Sequence, residues 1–308
     1  MASMPGEFDF LRALRARTPA AAGVIVGPGD DCAVLLPPPG QLLVTTDLLT
    51  EGVDFLLAEV TPEAVGRKAM GVNLSDIAAM AGTPFAALVS FALPRQPPGM
   101  TTRELADRLD AGLRDVADRF GVAIVGGDTN TWDGGLVVSV TVLGHADRPV
   151  TRGGARPGDA IFVTGPLGGS LLGRHLDVTP RVREALALRD FVQLHAMIDV
   201  SDGFAADLSH ILEESGCGAE IEADAVPVHP DAVARSRLTG RTPLDHALND
   251  GEDFELIFTV GDADASKLLG GAPVPVVRVG RVVPGTGLWL VAGGLRTPLT
   301  PSGWVHAV

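Results

Sequence analysis

A chain of 308 residues with 46% hydrophobic content and a mean hydropathy of +0.26 can fill one large core or two ordinary ones, which excludes global disorder. Its 38 acidic residues against 24 basic ones, a net charge of −14, exclude an electrostatic nucleic-acid binder, because no basic stripe is there to meet phosphates. Two cysteines, Cys32 and Cys217, make no CxxC and no disulfide framework; no apolar run reaches the ~18 residues of a membrane span, and residues 1–10 carry no signal-peptide pattern. A cytoplasmic protein that avoids membranes is therefore expected.

Phe8, Leu11 and Leu14 recur at a spacing of three and predict a short helix over 7–17. Residues 41–46 read as a strand that runs into Asp47. Thr61 as N-cap with Pro62 behind it predicts a helix from 61 to 81. A strand over 86–92, an amphipathic helix over 102–120, a strand over 122–125 that closes on Gly126-Gly127-Asp128, and a strand over 136–143 follow. The Pro- and Gly-rich stretch 148–159 marks a boundary, giving predicted domains over 1–147 and 148–308. Beyond it come a strand over 160–164, then Gly165-Pro-Leu-Gly-Gly and a helix. A strand over 197–200 enters Ser201-Asp202-Gly203 and a helix through Glu214. Strands over 256–260 and 274–279 and a hairpin at Gly293-Gly294 complete the series. Strand–helix alternation in both halves predicts α/β or α+β architecture.

The chemistry is carried by short acidic motifs: Gly29-Asp30-Asp31, Thr45-Thr46-Asp47, Asn73-Leu74-Ser75-Asp76, Gly126-Gly127-Asp128-Thr129, Asp199-Val200-Ser201-Asp202-Gly203 and Gly251-Glu252-Asp253. Converging carboxylates repel unless a hard cation sits among them, and Mg²⁺ with phosphate oxygens is the usual occupant. Each motif also has a plainer reading. The first is a surface turn with capping aspartates. Gly126-Gly127-Asp128 is a hairpin. Ser201 or Asp202 is a helix N-cap. Asn73 and Asp76, three apart, share one helix face. No Walker A, HExxH, GxSxG or kinase HRD pattern is present, and His210 and His246 read as ordinary polar residues.

The order of these motifs, with Thr-Asp-Leu-Leu-Thr-Glu-Gly-Val, Arg152-Gly-Gly-Ala-Arg-Pro-Gly-Asp and Gly-Glu-Asp-Phe-Glu-Leu, resembles the thiamine-monophosphate kinase family. That family belongs with the ATP-binding enzymes that include aminoimidazole ribonucleotide synthetase, selenophosphate synthetase and a hydrogenase maturation dehydratase. The resemblance covers residues 7–304. It implies ATP-dependent phosphorylation of thiamine monophosphate to thiamine diphosphate, and a two-domain aminoimidazole ribonucleotide synthetase-like fold whose N-terminal domains pair into a β-barrel across a homodimer. It also implies several Mg²⁺ ions held by Asp30, Thr45, Thr46, Asp47, Asp76, Asp128, Asp199 and Asp202. ATP contacts fall on Gly127, Asp128, Arg152 and Ser201, and substrate contacts on Asp54, Glu252 and Trp304. Arg152 suits a phosphate clamp on physical grounds as well, and Trp304 suits stacking on a flat cation.

Three positions depart from the family pattern, one of them Phe254, which stands where a tyrosine is usual after Glu252-Asp253. Asp54 stands where a histidine is usual, on the substrate side, and Asp110 stands where an aromatic is thought to pack on adenine. These motivate two alternatives: another ATP-dependent enzyme of the same superfamily, or a non-catalytic ATP-binding homologue. A reactive cysteine before Cys32 or a C-terminal cysteine would mark the selenophosphate synthetase or the dehydratase; neither is present.

Overall fold

The computed structural model describes residues 22–303, so the helix expected over 7–17 and the side chain of Trp304 lie outside the described residues. These residues form two compact units, one of residues up to 77 with 83–148, the other of 78–82 with 149 onward.

In the first unit, β1 (Val24–Val26) and β2 (Val34–Leu35) pair as a small antiparallel hairpin. A four-stranded sheet follows from β3 (Gln41–Thr50), β4 (Thr83–Pro94), β5 (Ala123–Trp132) and β6 (Val137–Ala146), in the order β3-β6-β4-β5. Only β4 and β5 run parallel, because the helix α2 (Thr102–Phe120) carries the chain back between them. α2 matches the sequence expectation at both ends. Thr101 accepts the amide of Glu104 at 3.1 Å, and Gly121 ends the helix at φ +68°.

The helix α1 (Pro62–Ala79) approaches α2 so closely that side chains are excluded at the crossing. A Cβ on Gly66 would lie 2.3 Å from the Leu109 carbonyl oxygen, and one on Gly112 would lie 2.0 Å from that of Glu63. Ile77 of α1 packs on Gly144, so α1 covers the face of the sheet where Val138, Val140 and Val142 are wholly buried. The other face keeps Leu42, Val44 and Leu48 more than half exposed.

Two expected strand ends prove to be strand interiors. β3 continues four residues past Thr46, and β5 continues to Trp132, so Asp47 and Asp128 sit mid-strand. Polar composition hid this: full-length pairing of β3 with β6 and of β5 with β4 overrides the weak strand propensity of Asp, Asn and Gly.

The second unit holds a seven-stranded sheet in the order β13-β12-β9-β11-β7-β10-β8. These are β7 (Ala160–Val163), β8 (Leu194–Asp199), β9 (Gly218–Glu222), β10 (Leu256–Val260), β11 (Val277–Val283), β12 (Gly287–Ala292) and β13 (Leu295–Pro298). β7 and β10 are buried on both faces, which is why they read as unbroken apolar runs. One face packs against α4 (Phe204–Ser215) through Phe204, Leu208 and Ile211; on β7 and β10, Phe162 stacks on Phe258 at 5.5 Å. Four more helices follow the strands: α3 (Val182–Phe191), α5 (Pro230–Thr239), α6 (Pro243–Asn249) and α7 (Asp262–Gly271). Where a helix was expected after Gly165-Pro-Leu-Gly-Gly, two 3-10 turns form instead, Ser170–Leu172 and Arg174–Leu176, because Gly168, Gly169 and Gly173 all take positive φ. The expected hairpin forms, with Gly293 at φ +55° and Gly294 at φ +80° between β12 and β13.

Candidate functional site

Among the described residues, acidic side chains gather in each unit. In the first, β3 and α1 face each other through polar groups. The Thr45 hydroxyl donates to Asp76 Oδ2. The Asp47 amide donates to Asn73 Oδ1 at 3.1 Å, and Asn73 is oriented by donating its own Nδ2 to the Ala69 carbonyl at 2.9 Å. Asn73 is fully buried, so its amide is a fixed element of the site. Thr45, Asp47, Asn73 and Asp76 therefore gather on the helix-covered side of the sheet, as their spacing on α1 implied.

Not every predicted ligand joins them. Thr46 points to the other face, where it donates to the Val140 carbonyl at 3.1 Å and accepts from the Thr141 hydroxyl. Asp128 lies on the strand at the opposite edge of the sheet, in the row with Ser90, Ser139 and Leu48, and is exposed. Its carboxylate accepts the Thr129 amide at 2.8 Å. Asp30 sits in the exposed loop between β1 and β2, where it accepts the Asp31 amide at 2.9 Å.

Gly127 is irreplaceable on steric grounds. At φ +153° a Cβ there would lie 1.6 Å from the Val89 carbonyl oxygen. Gly127→Ala must push β5 away from β4, and an overpacked strand costs about 1–3 kcal/mol. Its melting temperature is expected to fall by several degrees; an unchanged melt would mean that β5 tolerates the shift.

Two of the departures from the family pattern, Asp54 and Asp110, have local explanations. Asp54 closes its own turn: its amide donates to Thr50 O at 3.0 Å, and its Oδ2 accepts the Thr50 amide at 2.7 Å. Its carbonyl accepts from the buried Lys68 ammonium at 2.9 Å. Asp110 is buried on α2, where both its oxygens accept from Arg114 Nε at 3.0 Å.

In the second unit, Asp199 ends β8 and is almost fully buried. Ser201 and Asp202 follow, and neither caps α4. The N-cap is Gly203, and Asp207 reaches back from the first turn to accept the amides of Asp202 and Gly203 at 3.1 and 3.0 Å. Burial, then the charges of Asp199 and Asp202, push the Asp207 carboxyl up to about 8. A carboxylate oxygen of Asp202, one of Asp207 and a ring nitrogen of His210 lie within 4.8 Å of one another. Asp207 was missed in the sequence, although its place five residues beyond Asp202 at a helix start was the available signal.

The 250–254 turn packs onto this motif. The Glu252 amide donates to Ser201 O at 2.7 Å and the Phe254 amide to Val200 O at 2.8 Å. Glu252 at φ +52° and Phe254 at φ +50° are held in the left-handed region, a strain that persists only where the surroundings enforce it. Asp253 between them accepts the Gly168 amide at 2.7 Å and Arg174 Nη2 at 3.0 Å, while burial pushes its carboxyl up to about 7. Gly303 lies against the Asp202 carbonyl, so close that a Cβ would come within 2.2 Å. Arg152 is exposed, on a loop pinned by the Ser215 hydroxyl, which donates to Arg152 O and accepts the amides of Gly154 and Ala155. His246, fully buried, bonds Asp250 at 2.8 Å and is a structural residue.

Residues 29–146 match the family model for AIR synthase related protein, N-terminal domain, and residues 156–292 match its C-terminal domain. The thiamine-monophosphate kinase of Rhodopirellula baltica is 46% identical over 311 residues, 97% of each chain. The crystal structure of the thiamine-monophosphate kinase from Stenotrophomonas maltophilia matches with a TM-score of 0.77 at 33% identity, over 94% of this chain and 96% of its own. The structure of AaThiL complexed with AMPPCP and TMP matches with a TM-score of 0.76 at 29% identity, over 100% of both chains.

Proposed function

Because the chain belongs to the thiamine-monophosphate kinase family of AIR synthase related proteins, we propose that it transfers the γ-phosphoryl group of ATP directly to thiamine monophosphate, forming thiamine diphosphate. The observation that carries this reading is the packing of the strained 250–254 turn on the 199–203 motif, which sets Glu252 beside an acidic helix start. Chromatographic detection of thiamine diphosphate after incubation with ATP, Mg²⁺ and thiamine monophosphate is the test.

The donor sets fit hard divalent cations. Asp47 and Asp76, with the Thr45 hydroxyl, supply only oxygen, and Asp199, Asp202 and Asp207 bring three carboxyl groups to one helix start. These residues are the ones that would hold Mg²⁺; Thr46, Asp30 and Asp128, which do not gather with them, stand outside that set. Mg²⁺ bound there supplies neutralisation of the charge that builds between the two phosphates.

The chain's own residues do the rest. The nucleophile is a phosphate oxygen, already anionic near neutral pH, so no general base is required and none stands out. Positioning governs such a transfer. Arg152 offers a fork-shaped guanidinium for ATP phosphate oxygens, and Gly127, Asp128 and Ser201 complete the nucleotide contacts. Glu252 offers a carboxylate to the positively charged heterocycle, and Trp304 an aromatic face. In this reading the domain over 1–147 is the dimerisation domain that binds ATP and Mg²⁺, and the C-terminal α/β domain over 148–308 contributes Arg152, Ser201 and the second acidic group.

The exposed apolar row Leu42, Val44 and Leu48 favours a homodimer through that sheet face, since monomers seldom leave so apolar a face to water. Val44→Glu with Leu48→Glu is expected to convert the protein to a monomer in sedimentation experiments; an unchanged dimer would place the interface elsewhere. No helix among the described residues is long and apolar enough to cross a membrane, and the reading is of a cytoplasmic enzyme.

A further inference from the structure

The Asp202–Gly203 peptide at the start of α4 is held at both of its polar ends. Its N–H, on Gly203, donates to Asp207 Oδ2 at 3.0 Å. Its carbonyl, on Asp202, is closely approached by two glycines: a Cβ would come within 2.2 Å of that oxygen from Gly303 and within 3.1 Å from Gly251. Gly203 takes φ +122°, and a glycine in such a conformation lets the peptide before it flip at little steric cost. What bars the flip is the bond to Asp207 and the packing around the carbonyl. Part of that packing is a strap, residues 299–303, which leaves β13 and crosses to α4. At its start the Leu299 amide donates to Leu288 O at 2.9 Å. At its far end the Ser302 amide donates to Asn249 Oδ1 at 3.3 Å. Asn249 is buried, and its oxygen is aimed by its own Nδ2, which donates to Asp245 Oδ1 at 2.8 Å and to Asp245 O at 3.2 Å.

We propose that Gly303 and Asn249 are positioning residues for the cation site of the second unit: the strap they hold in place locks the Asp202–Gly203 peptide, and with it the direction in which Asp202 presents its carboxylate. The inference rests on Asp202 being a cation ligand. A flip of this peptide turns ψ of Asp202 and φ of Gly203 together, and it withdraws the Gly203 amide from Asp207, so two carboxyl groups lose their geometry at once. A small hard cation demands well-fixed oxygen positions, and groups that orient its ligands without touching it govern affinity. Gly303 acts by having no side chain, because a Cβ there must push either the strap or the Asp202 carbonyl aside. The strap lies outside the sheet and its far end hangs on a hydrogen bond of 3.3 Å, so it yields with little loss of folding stability.

The test is direct binding of Mn²⁺, which favours the same oxygen ligands as Mg²⁺, to the full-length protein without substrates, with free Mn²⁺ counted by electron paramagnetic resonance. Asp202→Asn identifies the site as the binding that it removes. Gly303→Ala is expected to weaken that site about tenfold, with the melting temperature nearly unchanged. Ser302→Pro, which deletes the amide that Asn249 accepts, is expected to weaken it by about threefold or more. Ser302→Ala, which keeps that amide, is expected to bind nearly as the unaltered protein does. Unaltered affinity in Gly303→Ala, or equal weakening in Ser302→Pro and Ser302→Ala, would overturn the proposal. Should Gly303→Ala fail to fold, the contrast between Pro and Ala at 302 decides alone. Asp202→Asn also separates the two levels. If it leaves Mn²⁺ binding unaltered, Asp202 holds no cation and the underlying reading fails. If it removes a site that Gly303→Ala leaves intact, only the role of the strap fails.

Discussion

Asp47→Asn is expected to lower kcat about a thousandfold while the protein stays folded. The side chain stands mid-strand on β3, beside the Thr45–Asp76 pair and with its own amide tied to Asn73. Asn has nearly the same shape and keeps the strand, but it loses the charge that would hold a divalent cation. Removing a charge that stabilises the transferring phosphoryl group through a metal costs several kcal/mol, and about 4 kcal/mol corresponds to a factor near a thousand. The melting temperature should move by no more than a few degrees. Turnover within tenfold of the unaltered enzyme would remove Asp47 from the cation's shell.

The largest loss of stability is expected from Arg181→Ala. Glu255 is almost completely buried beneath the turn that presents Glu252. Its Oε2 accepts from Arg181 Nε at 2.9 Å and from the Thr164 hydroxyl at 2.6 Å, and its Oε1 accepts from Arg181 Nη2 at 2.5 Å. Burial works against the Arg181 charge, yet the bonds to Glu255 outweigh it and leave the guanidinium raised. Taking the arginine away strands a carboxylate in the interior, which costs about 3–5 kcal/mol. For a chain of this size that is a fall of roughly 5–8 °C in melting temperature. The double variant Arg181→Met with Glu255→Gln should recover a large part of it, because no unpaired charge remains. A melt unchanged in Arg181→Ala would mean that solvent reaches Glu255.

Much of this protein was legible before its structure. The span of α2 followed from its amphipathic pattern, and the last hairpin from its paired glycines, because helical period and turn chemistry are local. The face shared by Asn73 and Asp76 followed from helical spacing, and both reach β3. The lengths of β3 and β5 did not follow, since Asp47 and Asp128 look like strand endings until partner strands are known. The two faces of β3 were also hidden: Thr45 and Asp47 alternate with Thr46, and only the register with β6 shows that Thr46 turns away. Asp207, Arg181 and Asn249 act through partners distant in sequence or through a backbone bend, and no single motif announces them.

The central claim is direct phosphoryl transfer, and one labelling experiment tests it. Purified protein is incubated with γ-labelled ATP, Mg²⁺ and thiamine monophosphate, and the products are separated by chromatography. The account predicts label in thiamine diphosphate, formed in equal amount to ADP. Label released as free phosphate without thiamine diphosphate, or no turnover while ATP still binds, would contradict it.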